Sequence, residues 1–312
     1  MQSPKTILVI GGTGFVGRYV VKVLAEQGFR VKVVSRNPSA VGAIKTMADV
    51  GQIAFISGDL AQPETILRHV KDAYAVVNLV GILFESGGKQ NFNMLHAVGA
   101  EKLAQAATSF GVQHFIHMSA LGVDRATSSL YAHSKMHGEK AVRMAFPDAV
   151  ILRPSVMFGS EDNFFNQFAG MAMCLPVLPL IGGGNTKFQP VYVGDVARMM
   201  LAAILQPERA NGRIFELGGA RVMSMKQIME YILEMTNRRA MLLPISFGAA
   251  SIMGGVMQLL PKPMLTRDQV MLLKHDNVIS GNYPGMEALG ISPTSIESVV
   301  PSYLKRYRKN GK

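Results

Sequence analysis

The sequence predicts a doubly wound α/β fold, a parallel sheet with helices on both faces, followed by a smaller interleaved region. Three observations carry that reading. Short apolar runs alternate with longer amphipathic stretches through the first 154 residues, the pattern of repeated β-α-β units. The first unit places Gly11, Gly14 and Gly17 straight after an apolar run and before a helical pattern. Right-handed crossovers make the doubly wound arrangement the default for consecutive units of this kind.

The run Thr6–Ile10 is β-branched and aliphatic and reads as a buried strand. Gly11-Gly12-Thr13-Gly14-Phe15-Val16-Gly17 follows, and Val16, Val20, Val23 and Leu24 then recur at helical spacing. Gly11 permits a tight turn, Gly14 lets the backbone approach a phosphate, and Gly17 lets the helix pack closely on the strand. The free N–H groups and positive dipole end of the helix face the anion. Gly11, Thr13, Gly14, Phe15, Val16 and Gly17 are therefore candidate contacts for a dinucleotide pyrophosphate.

Further strands are expected at Arg30–Ser35, Ile53–Ser57, Ala75–Leu79, His114–Met118 and Val150–Arg153, with helices over Phe92–Phe110 and Leu130–Ala145. After Pro154 the alternation weakens. Pro176, Pro179 and Gly182–Gly184 mark loops, Arg213–Leu217 reads as one more strand, and Ser224–Met235 as a helix. Residues 1–154, with 185–220 returning to them, form the expected dinucleotide-binding Rossmann core. Residues 155–312 form a substrate-side or partner-binding region that is not an independent domain.

The second strand ends Val33-Val34-Ser35-Arg36-Asn37, and no acid occurs from Arg30 to Ala48. An acid at this point would bind both ribose hydroxyls and select NAD. Arg36 instead offers a fork of donors to a 2′-phosphate, and Ser35 adds a hydrogen bond, so NADP(H) is favoured over NAD(H). Asp59 and Leu60 suit the adenine edge, and Val80, within Asn78–Gly81, the floor beneath the cofactor. Those roles rest on order in the fold.

Ser119 follows the fifth strand, and Tyr131 and Lys135 stand four apart on the next helical stretch, hence on one face. No other tyrosine in the chain has a lysine four residues on. A neighbouring ammonium, joined by the charge of an oxidised nicotinamide, would favour the phenolate. Tyr131 would then exchange a proton with a carbonyl or alcohol, and Ser119 would hold the same oxygen. No metal-ligand pattern is legible.

The chain has 312 residues, is 48% hydrophobic and carries a formal net charge of +11. Lys305, Arg306, Arg308, Lys309 and Lys312 concentrate cations at the C-terminus. No nucleic-acid-binding module is legible, and an anionic membrane surface or an acidic protein partner fits the charge better, beside a plain solvated tail. The single cysteine, Cys174, and a first strand beginning at residue 6 lead to the expectation of a cytoplasmic protein without a signal peptide. From Ala240 to Pro261 there is no ionisable side chain. That stretch reads either as a helix roofing the cofactor site or as a greasy surface resting on a membrane or a lipid-like substrate. The apolar strip Met171–Ile181 would widen such a surface.

The glycine turn, Ser119, Tyr131-x-x-x-Lys135 and Leu152-Arg153-Pro154 together resemble the extended short-chain dehydrogenase/reductases over about the first two hundred residues. Tyr131–Lys140, Leu152–Gly159, Phe164-Phe165-Asn166, Val191–Val196, Leu265–Val270 and Asp276-Asn277 look like the bacterial relatives of the NADPH-binding accessory subunit of mitochondrial respiratory complex I. That group also resembles factors associated with coenzyme Q (ubiquinone) biosynthesis. The resemblance implies a tightly held NADP(H) and a place at complex I or quinone-biosynthesis proteins, peripheral at the cytoplasmic face of the inner membrane. It implies no known turnover, since the mitochondrial subunit is regarded as structural. On the same pattern the backbone after Pro154 faces the nicotinamide and Asp195 lies near the rim. By position alone, Asp195 reads as the N-cap of a helix from Val196.

Overall fold

The structure, a computed structural model, describes residues 4–36, 42–88, 90–261 and 263–308. The first half alternates β1 (Thr6–Ile10), α1 (Phe15–Glu26), β2 (Arg30–Ser35), α2 (Gly42–Lys45), β3 (Ile53–Ser57), α3 (Glu64–Leu67) and β4 (Ala75–Asn78). A π-helical segment, Asn93–Val98, then runs into α4 (Gly99–Ser109), followed by β5 (His114–Met118), α5 (Leu130–Ala145) and β6 (Val150–Pro154). The expected helix over Phe92–Phe110 therefore opens with π rather than α geometry.

Beyond β6 come β7 (Met157–Phe158), α6 (Phe165–Cys174), β8 (Val177–Ile181), β9 (Lys187–Phe188), β10 (Val191–Tyr192), α7 (Val193–Leu205) and α8 (Pro207–Ala210). The chain continues through β11 (Ile214–Leu217), β12 (Met223–Ser224), α9 (Met225–Thr236), β13 (Met241–Ile245), α10 (Phe247–Met257), α11 (Arg267–Leu272) and α12 (Ile296–Leu304).

Seven strands form one parallel sheet in the order β11-β6-β5-β4-β1-β2-β3. Alternation along β1 explains the two layers. Ile7 and Val9 join the core shared with α1 and α7, whereas Leu8 and Ile10 join the one shared with α4 and α5. The order reverses between β1 and β4, so the crevice at their C-terminal ends is where a doubly wound fold receives a ligand. A third core, built on Phe158, Phe165, Ile228, Ile232 and Val300, holds the region beyond β6 together.

Four expectations change here. The uncharged stretch is no single helix: β13 takes its first residues into a strand paired with β8 through Ile245, Pro244 included, and the Ser246 hydroxyl caps α10 by accepting from Ala249 N at 3.3 Å. Pro179 lies inside β8 rather than a loop, which a two-stranded sheet tolerates because both its strands are edges. Asp195 is no N-cap. It sits buried in the first turn of α7 and accepts from Thr294 N at 2.6 Å, Thr294 Oγ1 at 2.8 Å and Arg198 at 2.6 Å. The basic end is not a free tail as far as it is described. Arg306 donates to Ser160 O and Asn166 Oδ1, and Arg308 to Met235 O. Asn37, Lys309 and Lys312 lie outside the described residues.

Candidate functional site

The glycine turn leaves β1 with Gly11 at φ +83°, a conformation other residues resist, and Gly14 N donates to Gly11 O at 3.0 Å. A Cβ on Gly17 would stand 2.3 Å from Gly11 O and 2.5 Å from Gly12, so the first turn of α1 presses on the loop itself. No side chain caps α1 and no acid lies in its first turn. The amides and dipole at that end thus keep their pull on an anion. Thr13 Oγ1 and Ser35 Oγ are 3.0 Å apart, joining the turn to the end of β2. Beside them Arg36 donates to Gln90 Oε1 at 2.6 Å, and Gln90 Nε2 reaches Asp59 Oδ2 at 3.4 Å. Asp59 Oδ1 also accepts from Ala61 N, and Leu60 is buried.

Across the crevice, Lys135 is buried and its ammonium donates to Val80 O at 3.3 Å and Met118 O at 3.1 Å. One side chain of α5 thereby ties the ends of β4 and β5 together, next to Ser119. The Ser119 hydroxyl is buried with no partner among the described residues, an orphaned group suited to a ligand oxygen. Burial pushes Lys135 down to about 8 against the opposing charge of Glu139. In the protein alone the Tyr131 phenol moves opposite to the expectation. Burial first, then the Asp268 carboxylate, push it up to about 12.

Hydrogen-bond direction fixes two histidine tautomers beside this pair. Ile82 N donates to His96 Nε2 at 3.0 Å, so the ring proton is on Nδ1 and points to Ser134 Oγ at 2.8 Å. Ser134 in turn donates to Tyr131 O at 2.7 Å. Asn78 Oδ1 accepts from Val80 N, so its amide nitrogen donates to His117 Nδ1 at 3.2 Å, leaving the proton on an Nε2 without a partner among the described residues. Burial and the Lys135 charge hold His96 at about 2 and His117 at about 3, both neutral. The His96 ring meets the Tyr131 ring edge-on at 5.6 Å.

Sequence reasoning quoted the segments that hold the site in place and gave them no structural role. Asp268, on α11, accepts from Ser129 Oγ at 2.8 Å, Leu130 N at 2.7 Å and Tyr131 N at 3.2 Å, capping α5 from outside the sheet. Asn277 accepts from Ser155 Oγ at 2.7 Å and Val156 N at 3.1 Å and donates to Leu121 O at 3.0 Å. It stitches the loop after Pro154 to the loop after Ser119, while Ser155 N donates to Leu217 O. Buried Arg153 forks onto Glu139 at 2.8 and 2.7 Å and reaches Asp124 at 2.7 Å, joining β6, α5 and the Ser119 loop. Asp268 and Asn277 lie more than a hundred residues beyond the groups they hold, and no spacing rule links such positions.

The profile of the NAD dependent epimerase/dehydratase family matches residues 7–218, the sheet and the whole crevice just described. Over 96% of its length the chain is 35% identical to NADH dehydrogenase (ubiquinone) 1 alpha subcomplex subunit 9, mitochondrial, of Mus musculus, covering 80% of that protein. It is 30% identical to a ceramide reductase of Caulobacter vibrioides over 64% of this chain and 61% of that one. In fold it superposes on the dTDP-glucose 4,6-dehydratase of Bacillus anthracis, crystallised in complex with NAD. The TM-score is 0.73 at 15% identity, with 98% of this chain and 97% of that one covered. Sheet order, glycine turn and profile coincide over more than half the residues: the chain belongs to the NAD dependent epimerase/dehydratase family.

Proposed function

We propose that this protein is an NADP(H)-binding, dehydrogenase-like accessory or assembly factor of respiratory complex I or of ubiquinone metabolism. It works at the cytoplasmic face of the inner membrane. The observation that carries the reading is the 35% identity to a complex I subunit over 96% of the chain. That span takes in α10 and α11, well beyond residue 218 where the family profile ends. The uncapped α1 terminus suits the pyrophosphate, and Arg36 with Ser35 suits a 2′-phosphate. Val80, Pro154, Tyr131 and Lys135 line the nicotinamide end.

A second reading, an active oxidoreductase or epimerase on a hydrophobic substrate, is favoured by the Ser119 hydroxyl, which has no partner among the described residues and follows directly on the Met118 carbonyl that Lys135 holds. The cofactor would supply hydride exchange. Ser119 Oγ would donate to the substrate oxygen, the Tyr131 phenol would give or take its proton, and Lys135, anchored on Val80 O and Met118 O, would hold a positive charge nearby.

Two variants separate these readings in a strain lacking the native protein. Tyr131→Phe removes one hydroxyl, and Gly14→Val crowds the pyrophosphate turn. The accessory reading expects Tyr131→Phe to restore complex I activity and quinone content fully and Gly14→Val to restore neither. A stable, nucleotide-loaded Tyr131→Phe protein that restores neither would transfer the case to the enzyme.

A further inference from the structure

Two long stretches of the chain, residues 163–186 and 240–261, contain no Asp, Glu, Lys or Arg. The fold brings them together. β8 and β13 run parallel, with Met241 opposite Val177 and Leu243 opposite Pro179. Residues in such register share a face, and Val177, Met241 and Leu243 are exposed on theirs. Gly182, at the end of β8, lies against the Phe247 ring that opens α10.

α10 buries Ala250 and Gly254, where a Cβ on Gly254 would stand 2.9 Å from the carbonyl carbon of Thr266. That small face fits it tightly to the start of α11. Its outer side carries Ile252 and Val256, 69% and 65% exposed, with Leu259 just beyond the helix at 86%. An apolar surface of this kind is costly in water and calls for a partner.

The charge around it indicates which partner. No carboxylate occurs between Asp162 and Asp195, nor between Glu234 and Asp268. Asp268 is turned inward to α5. Arg267 lies along α10, 2.5 Å from where a Cβ of Gly255 would be, and Lys274 stands 6.0 Å over the Phe247 ring. Cations therefore border the helix while acids are missing from both stretches. No helix among the described residues is long and apolar enough to cross a membrane.

We propose that β8, β13 and the outer side of α10 rest on an anionic lipid bilayer, the apolar side chains at the acyl boundary and the cations among the headgroups. This deepens the membrane placement above by naming the surface that makes it.

The test is flotation of the full chain with phosphatidylcholine vesicles, with and without phosphatidylglycerol. The wild type should float with the anionic vesicles and more weakly with the neutral ones. The double variant Ile252→Glu/Val256→Glu should lose at least tenfold in partitioning at an unchanged Tm. Met241→Glu, on the strand, should lower partitioning independently should the helix variant fold poorly. A wild type that does not float, or variants that float as it does, would overturn the proposal. A dimer that the double variant dissolves would also overturn it, assigning the face to a second copy. NADPH binding, measured in parallel, reports on the cofactor reading and leaves this result intact.

Discussion

His96 and His117 are neutral, fully buried and committed to single tautomers, and that commitment makes the site sensitive to acid. Their folded-state values of about 2 and 3 lie below the 6.5 of an unfolded chain. Between these limits the unfolded chain binds the extra protons, so stability is complete above pH 6.5 and falls as the pH drops. At pH 5 each histidine costs about 2 kcal/mol, so the pair removes about 4 kcal/mol between pH 7.5 and 5. Denaturant unfolding at the two pH values measures this, and equal stabilities would contradict the burial of the two rings in neutral form. Tyr131 and Lys135 are driven by the same desolvation in opposite directions, each toward its neutral form. At neutral pH that leaves a phenol with a proton to give beside a largely protonated amine. Bringing the phenol back down would take a positive charge brought by a ligand.

At the scale of elements, α5 is held at three points: Asp268 caps its start, Lys135 bridges β4 and β5 at its second turn, and Glu139 grips Arg153 of β6. Asp268→Ala leaves the Leu130 and Tyr131 amides without this carboxylate and should destabilise the protein by about 1.5–3 kcal/mol, the range for a charge-assisted hydrogen bond. Hydrogen exchange should show the loss as faster exchange at Leu130 and Tyr131. Unchanged protection there would mean that α11 does not cap α5. The strands and α5 were legible because each is a local pattern: Thr6–Ile10, Arg30–Ser35 and Leu130–Ala145 form as read. The glycine turn was legible for the same reason, and the fit of Gly12 against Val33 was the part of it left unread. A helix was one of two readings of the uncharged stretch, but the bounds of α10 were not legible. Its apolar residues run all round the helix, so no period marked it, and only the pairing of β13 with β8 shows where the preceding strand begins and ends. The cap by Asp268 and the stitch by Asn277 are tertiary, joining positions that only the folded chain brings near.

At the scale of the molecule, the protein presents two faces. The crevice between β1 and β4 gathers the glycine turn, Arg36, Ser119, Tyr131 and Lys135, and the region beyond β6 carries α10 outward, with its apolar side bare. They are joined, since α10 packs on α11 and Asp268 of α11 holds the helix that bears Tyr131. A nucleotide kept in the crevice would brace β1, α1 and α5 together, the part a ligand plays when a fold rather than a reaction depends on it. The most direct test of that account is purification of the tagged protein from whole cells of its native host, membranes included, with the bound nucleotide and accompanying proteins identified by mass spectrometry. The account predicts close to one NADP(H) per chain together with complex I subunits or quinone-biosynthesis proteins. Recovery without nucleotide, with NAD(H) in its place, or without either group of proteins would contradict it.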